Sequence, residues 1–478
     1  MERYDIVIIG GGPAGVQAAI SARYSNPNAR IGLIRREKKA MIPCGIPYTL
    51  HSLASVDDDI LPDKPLDINR IELIVGEVVE RLDHKLRLSD GRSVSFRRLV
   101  LATGSSPVVP DIPGMDLEGI HLVNKEYESI CQLRREAEEA NRVLIVGGGF
   151  IGLEMADELL QAGKQVTVVE KLPRFLAQSF DPEYGERAQR ELERLGADIV
   201  LGQSVTHFIG DQAVAGVVLE SGRQIPADLV IVSVGFAPRV DIPKMFGVQC
   251  LKGVGILVDE HMRTSEPDIF AAGDCTAHKN WITGNPFKVM LASTAMAQGR
   301  LAGSNLFNIS LMTNFPGTLG TFSTRIGKLV LGVSGLTEQD ANQMHLEYVT
   351  GKTKSPDRHP GKLEGASQIE LKLLFSKHSN VLVGAQVIGG ASAGELINML
   401  SVMIQKRMTA MEIDTIQIGT HPLLTSSPLA YPVITATVDA IMKWYWSSSV
   451  EKAVGLAGSG KDDPRAHSLE KKPETVGA

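Results

Sequence analysis

Asp5-Ile6-Val7-Ile8-Ile9 runs straight into Gly10-Gly11-Gly12-Pro13-Ala14-Gly15-Val16. The same grammar returns as Val143-Leu144-Ile145-Val146 followed by Gly147-Gly148-Gly149-Phe150-Ile151-Gly152-Leu153. Each copy is an apolar run of buried-parallel-strand length, then glycines, then a small-residue helix, over 14–22 and 151–162. In Gly10-x-Gly12-x-x-Gly15 the first glycine permits the tight turn and the second lets backbone approach a pyrophosphate. The third lets the helix close on the strand. Pro13 and Ala14 lead the turn into the helix, where phosphate charge would meet free N–H groups and the positive dipole end. The copies start at Gly10 and Gly147, too far apart for a solenoid repeat. The pattern implies two dinucleotide-binding domains.

The second copy sits inside the first domain. Beyond it, Asp268-Ile269-Phe270-Ala271-Ala272-Gly273-Asp274 reads as a buried strand with a terminal acid and 290–306 as a helix, together completing that domain. From about Phe322 the character changes to strand-like runs at 368–375 and 381–388, then helices at 394–406 and 434–444. The expected fold class is α/β: two Rossmann-like dinucleotide-binding domains, the second inserted in the first, plus a C-terminal α+β domain. The boundaries expected are 1–115 with 255–320, then 116–254, then 321–446. Residues 447–478 lack apolar periodicity and read as a flexible tail.

At about 150 residues per domain, 478 residues accommodate three. With 43 % apolar and 22 % charged residues, disorder is excluded for the bulk of the chain. A net charge of −6 argues against nucleic acid or an anionic membrane as the main partner. No apolar run is long enough to span a bilayer and no cleavable leader is visible, so a cytoplasmic location is expected. The four cysteines, Cys44, Cys131, Cys250 and Cys275, include no CxxC pair, which leaves no disulfide scaffold or zinc site and no metal expected.

The copies differ after their second strands. Residues 165–169 end in Glu170, placed to accept from a ribose diol and to repel a 2′-phosphate, so NADH is preferred over NADPH, with Lys171 and Arg174 softening the preference. Residues 31–34 end in Arg35-Arg36-Glu37 instead, and the ribose contact of the first copy is open. Thr103-Gly104 and Gly235 close two further buried strands, and Asp274 could accept from a ribityl hydroxyl.

The ordered series GGGPAG (10–15), LATGSSP (101–107), VLIVGGGFIGLE (143–154), TVVEK (167–171), IVSVGFAPR (231–239) and GILVDEHMRTSEPDIFAAGD (255–274) resembles the pyridine nucleotide-disulfide oxidoreductases. The resemblance runs from Tyr4 to about Tyr445. It implies bound FAD on Gly10, Gly12, Gly15, Thr103, Gly104 and Asp274, and a nicotinamide dinucleotide on Gly147, Gly149, Gly152, Glu170 and Gly235. A C-terminal dimerisation domain is implied as well, hence a homodimer.

Cys44-Gly45-Ile46-Pro47-Tyr48-Thr49 holds one cysteine where glutathione-reductase-like members hold two. It resembles the branch of coenzyme A-disulfide reductases, NADH oxidases and NADH peroxidases. A helix beginning near Cys44 would favour a thiolate beside the flavin. Lacking a second thiol, Cys44 must cycle through a mixed disulfide, a persulfide or a sulfenic acid. Cys131, Cys250 and Cys275 read as structural. His421, in a His-Pro pair, would be a general acid/base reaching the partner subunit's flavin or else a packing histidine. The carboxylate that usually orients it is replaced by Ser426 and Ser427. Tyr431 is a second candidate, the branch's other tyrosine falling where His359-Pro360-Gly361 stands. Arg23 matches one arginine of a coenzyme A diphosphate clamp, with a solvated helix-end arginine as the alternative.

The expected function is reduction by NAD(P)H of a low-molecular-weight disulfide, persulfide or polysulfide through Cys44. The alternatives are an NADH oxidase or peroxidase cycling Cys44 through sulfenic acid, and an electron-transfer or redox-sensing flavoprotein serving a protein partner through the tail or Trp444-Tyr445-Trp446.

Overall fold

The computed structural model describes residues 2–458, with side chains through 445. The run Ile6–Ile9 is fully buried and central in a parallel five-stranded sheet, ordered Ile269–Ala271, Arg98–Leu101, Ile6–Ile9, Ile31–Arg35, Glu72–Val75. Burial on both faces explains why these strands are near-continuous apolar runs. The strand Ile269–Ala271 returns to this sheet after the whole second domain, pairing with Arg98–Leu101.

The second sheet repeats the plan: Ile120–Leu122, Leu229–Val232, Arg142–Val146, Gln165–Glu170, Asp198–Leu201, again parallel throughout. The helices Pro13–Ser25 and Phe150–Gln161 come directly after the two central strands, each with a glycine, Gly12 or Gly149, as its N-cap. Gly10 and Gly147 share the same left-handed φ of 115°, so the two turns are the same device built twice.

The third sheet is antiparallel, ordered Phe322–Ile326, Leu329–Gly335, Leu382–Gly389, Gln368–Ser376, Tyr348–Pro356. The helix Ser392–Gln405 buries Leu396, Ile397, Leu400 and Ile404 in the core shared with this sheet. The last helix, Pro432–Gly458, adds Val433, Ala436 and Ala440 to that core. It runs on past residue 447, where an irregular tail was expected, because the apolar stretch beginning at Val433 nucleates a helix that continues through the serines. Residues 459–478 of that expected tail lie outside the described residues. Among the described residues no helix is long and apolar enough to cross a membrane.

Candidate active site: two nucleotide cradles and a lone thiol

The glycines of each loop divide the same way. A Cβ on Gly10 would fall 2.0 Å from Ala102 O, and one on Gly147 would fall 2.3 Å from Ser233 O. On Gly15 it would meet Gly10 O at 1.9 Å, and on Gly152 it would meet Gly147 O at 2.2 Å. Those four glycines serve close packing of the protein. Gly12 and Gly149, by contrast, have nothing within 4 Å of an added Cβ, which is the open side where a pyrophosphate would approach.

At the rim of the second cradle Glu170 is buried. Its Oε2 accepts Gly148 N–H at 2.6 Å and its Oε1 accepts Leu172 N–H at 2.7 Å. The carboxylate is held against the glycine loop with lone pairs to spare. Lys171 is exposed, and Arg174 turns away to Gln339 Oε1 at 2.5 Å.

At the first cradle, Thr103 and Gly104 meet the 231–239 segment. Thr103 Oγ1 donates to Arg239 O at 2.9 Å, Arg239 N–H donates to Gly104 O at 2.9 Å, and Ser105–Pro107 pairs with Phe236–Pro238. The Thr103 hydroxyl is therefore engaged with protein. Gly235, at φ 109°, turns the chain into that ribbon. Asp274 Oδ2 accepts from Ser105 Oγ at 2.7 Å and pairs with Lys125 Nζ at 3.0 Å. Lys125 is a residue that sequence reasoning missed, lying in a loop with no motif around it.

His278 was missed too. Gln298 Oε1 accepts from Gly273 N–H and Thr276 Oγ1, so its amide nitrogen donates to His278 Nδ1 at 3.2 Å. The proton of His278 is thereby on Nε2, which is buried and has no partner. The open side of Gly12 leaves room for a pyrophosphate at the helix end, and the residues present fit a bound FAD.

Cys44 is exposed, in a turn closed by Gly45 N–H to Ile42 O at 2.9 Å. The next element, where a helix was expected to begin, is a short 3-10 helix, Ile46–Leu50. So short a helix supplies little dipole. A Cβ on Gly45 would fall 1.7 Å from Asp59 Oδ1, so a buried carboxyl lies under the turn, and burial pushes it up to about 6. Thr49, where the second thiol would stand, is buried with its hydroxyl on Ile46 O at 2.7 Å. Burial holds the Cys250 and Cys275 thiols up, and Cys275 is inaccessible.

Three acids on one face of Phe150–Gln161 join the domains. Glu158 accepts from Ser52 N–H and Oγ, Asp157 from Gly327 N–H at 2.9 Å, and Glu154 from Thr324 Oγ1 at 2.7 Å. Arg23, expected as a diphosphate clamp, donates instead to the carbonyls of Asn69, Pro27, Ala29 and Arg70. It binds the end of its own helix to the segment at 69–70, because the chain there presents four carbonyls to a planar fork.

In the third domain His421 is exposed, and its Nδ1 accepts from Leu423 N–H at 3.2 Å, which leaves the proton on Nε2. His359 has the opposite tautomer: its Nδ1 donates to Thr425 O at 3.0 Å, leaving Nε2 bare. His359 N–H also reaches Pro422 O at 3.1 Å, so both imidazoles ride on one loop pair. Tyr431 is half-buried and its phenol is pushed up by burial. Asp181, Glu183 and Glu338 come within metal-ligand distance of one another, but Lys372 Nζ sits among them at 2.5, 2.6 and 2.9 Å.

Residues 4–299 match the model of the pyridine nucleotide-disulphide oxidoreductases, and 323–429 match that family's dimerisation domain. The chain belongs to this family. It is therefore an oxidoreductase that uses FAD and NAD(P)H. This oxidoreductase is 32% identical over 449 residues to an NADH oxidase of Methanocaldococcus jannaschii, covering 91% of this chain and 98% of that protein. It is 33% identical over 394 residues to a CoA-dependent NAD(P)H sulfur oxidoreductase of Pyrococcus abyssi, covering 80% and 87%. Among solved structures it resembles a NAD-dependent persulfide reductase from A. fulgidus, with TM-score 0.83, 28% identity, and 95% and 84% of the two chains covered.

Proposed function

We propose that this flavoprotein is a homodimeric NADH-dependent reductase of small disulfides, persulfides or polysulfides, coenzyme A disulfide among them, with Cys44 as its redox sulfur. The observation that carries the reading is a single exposed thiol whose would-be partner position is the buried Thr49. The names of the Pyrococcus abyssi and A. fulgidus relatives agree with it. When bound, FAD supplies the two-electron transfer that links the nicotinamide to this sulfur. Gly12 and Gly149 leave room for the pyrophosphates, and Glu170 disfavours a 2′-phosphate.

The chain's own part is sulfur and proton chemistry. The Cys44 thiolate attacks one sulfur of the acceptor, the S–S bond breaks, a mixed disulfide forms and a thiolate leaves. The partner's His421 donates a hydrogen bond from Nε2 to that leaving thiolate, which takes its proton from solvent, and the partner's Tyr431 lines the same side. The oxidase reading, with Cys44 cycling through sulfenic acid and oxygen as acceptor, is favoured by the name of the Methanocaldococcus jannaschii relative.

NADH consumption decides between them. With coenzyme A disulfide or polysulfide under argon the rate should exceed that with oxygen or peroxide alone, and Cys44→Ser should abolish it. Parental rates in Cys44→Ser would overturn the mechanism, and turnover with oxygen only would install the oxidase.

A further inference from the structure

In the second domain the strand pair Val146–Val169 is followed by Glu170, and in the first the equivalent pair Ile9–Ile34 is followed by Arg35. The position that offers a ribose carboxylate in one copy therefore holds a cation in the other. Its stem lies over the middle glycine of the loop, since a Cβ on Gly11 would fall 2.7 Å from Arg35 Cδ. The guanidinium faces protein on all sides. Nε donates to Glu37 O at 2.9 Å, Nη2 to Lys38 O and Asp63 Oδ2, both at 2.7 Å, and Nη1 to Asp63 Oδ1 at 2.5 Å.

Arg35 is 3 % exposed and four of its five donors are used, so it is no receptor for a phosphate. Asp63 is different. Its side chain is 42 % exposed, and each oxygen gives one lone pair to Arg35 and keeps another. Glu37, the nearest acid in sequence, is turned to Arg36 at 3.0 Å.

We propose that Asp63, held by Arg35, is the acceptor for the ribose diol of the FAD adenosine half. Arg35 is its positioning residue: the arginine spans from the glycine loop to the start of the helix Lys64–Ile68 and presents there the carboxylate that the loop rim lacks. The inference rests on FAD occupying the first cradle and is independent of the electron acceptor.

The test is flavin binding, read by fluorescence quenching on titrating apoprotein with FAD, with FAD whose adenosine is 2′,3′-dideoxy, and with FMN. Wild type should bind FAD on the order of tenfold tighter than the dideoxy analogue. Asp63→Asn should lose that discrimination and keep its FMN affinity, while Glu37→Gln should behave as wild type. Equal affinity of wild type for FAD and the analogue overturns the proposal whether or not the variant folds. So does discrimination that survives in Asp63→Asn or disappears in Glu37→Gln. Failure of wild type to bind FAD at all would overturn the flavin assignment itself, and a changed acceptor profile would touch neither.

Discussion

Glu158 accepts both donors of Ser52, the amide at 2.7 Å and the hydroxyl at 2.8 Å, and so fastens the segment after Cys44 to the helix behind the second glycine loop. The carboxylate is 2 % exposed. Glu158→Ala takes the charged acceptor from both donors of the exposed Ser52, at a cost of about 1–3 kcal/mol. A lower Tm and faster alkylation of Cys44 should appear together. An unchanged alkylation rate would mean that this contact does not govern the thiol's turn.

Burial lifts the Glu154 carboxyl from an ordinary 4.5 to about 7. Between those values the folded chain keeps a proton that the unfolded chain has lost, so stability falls as pH rises through the window. Asp59, lifted from 3.8 to about 6, adds the same sign lower down. Glu154→Gln should flatten the slope and leave the protein more stable above pH 7 by up to about 3 kcal/mol. Urea unfolding of both proteins at a series of pH values measures this, and parallel curves would refute it.

Gly12 and Gly15 should fail differently. An alanine at 15 drives a methyl into Gly10 O, an overpacking that costs about 1–3 kcal/mol, and lowers Tm with or without flavin. An alanine at 12 meets nothing in the protein, so apoprotein Tm should hold while FAD affinity drops by about tenfold or more. Gly149→Ala and Gly152→Ala should show the same split, read in KM for NADH against Tm.

Lys372→Met strands Asp181, Glu183 and Glu338 around an apolar side chain. Breaking the buried Lys372–Asp181 pair should cost about 3–5 kcal/mol at neutral pH, measured by chemical denaturation. Much of that loss should be recovered in acid, where the Asp181 carboxyl, no longer held low by Lys372, protonates.

The glycine loops were legible in the sequence because the spacing that brings Gly15 onto Gly10 O and Gly152 onto Gly147 O is set within one strand-turn-helix unit, even though Gly10 and Gly147 also approach the remote Ala102 and Ser233. The helices expected at 14–22 and 151–162 fall at Pro13–Ser25 and Phe150–Gln161 for that reason. The illegible features depend on partners remote in the chain. Arg23 read as a diphosphate-clamp arginine or a solvated one at a helix end because two of its acceptors, Asn69 and Arg70, lie on another segment. Ser52 and Glu158 stand 106 residues apart, and no local pattern joins them. Arg35 was visible as a departure from the expected acid, but its pairing with Asp63 needed the strand register to place it.

One helix, Phe150–Gln161, carries carboxylates bonded to the Cys44 segment through Ser52 and to the third domain through Thr324 and Gly327. Of these contacts, the Ser52–Glu158 pair is the one that bridges the two nucleotide domains. One helix of the second nucleotide domain thus serves as a common mounting for the thiol's segment and for the third domain.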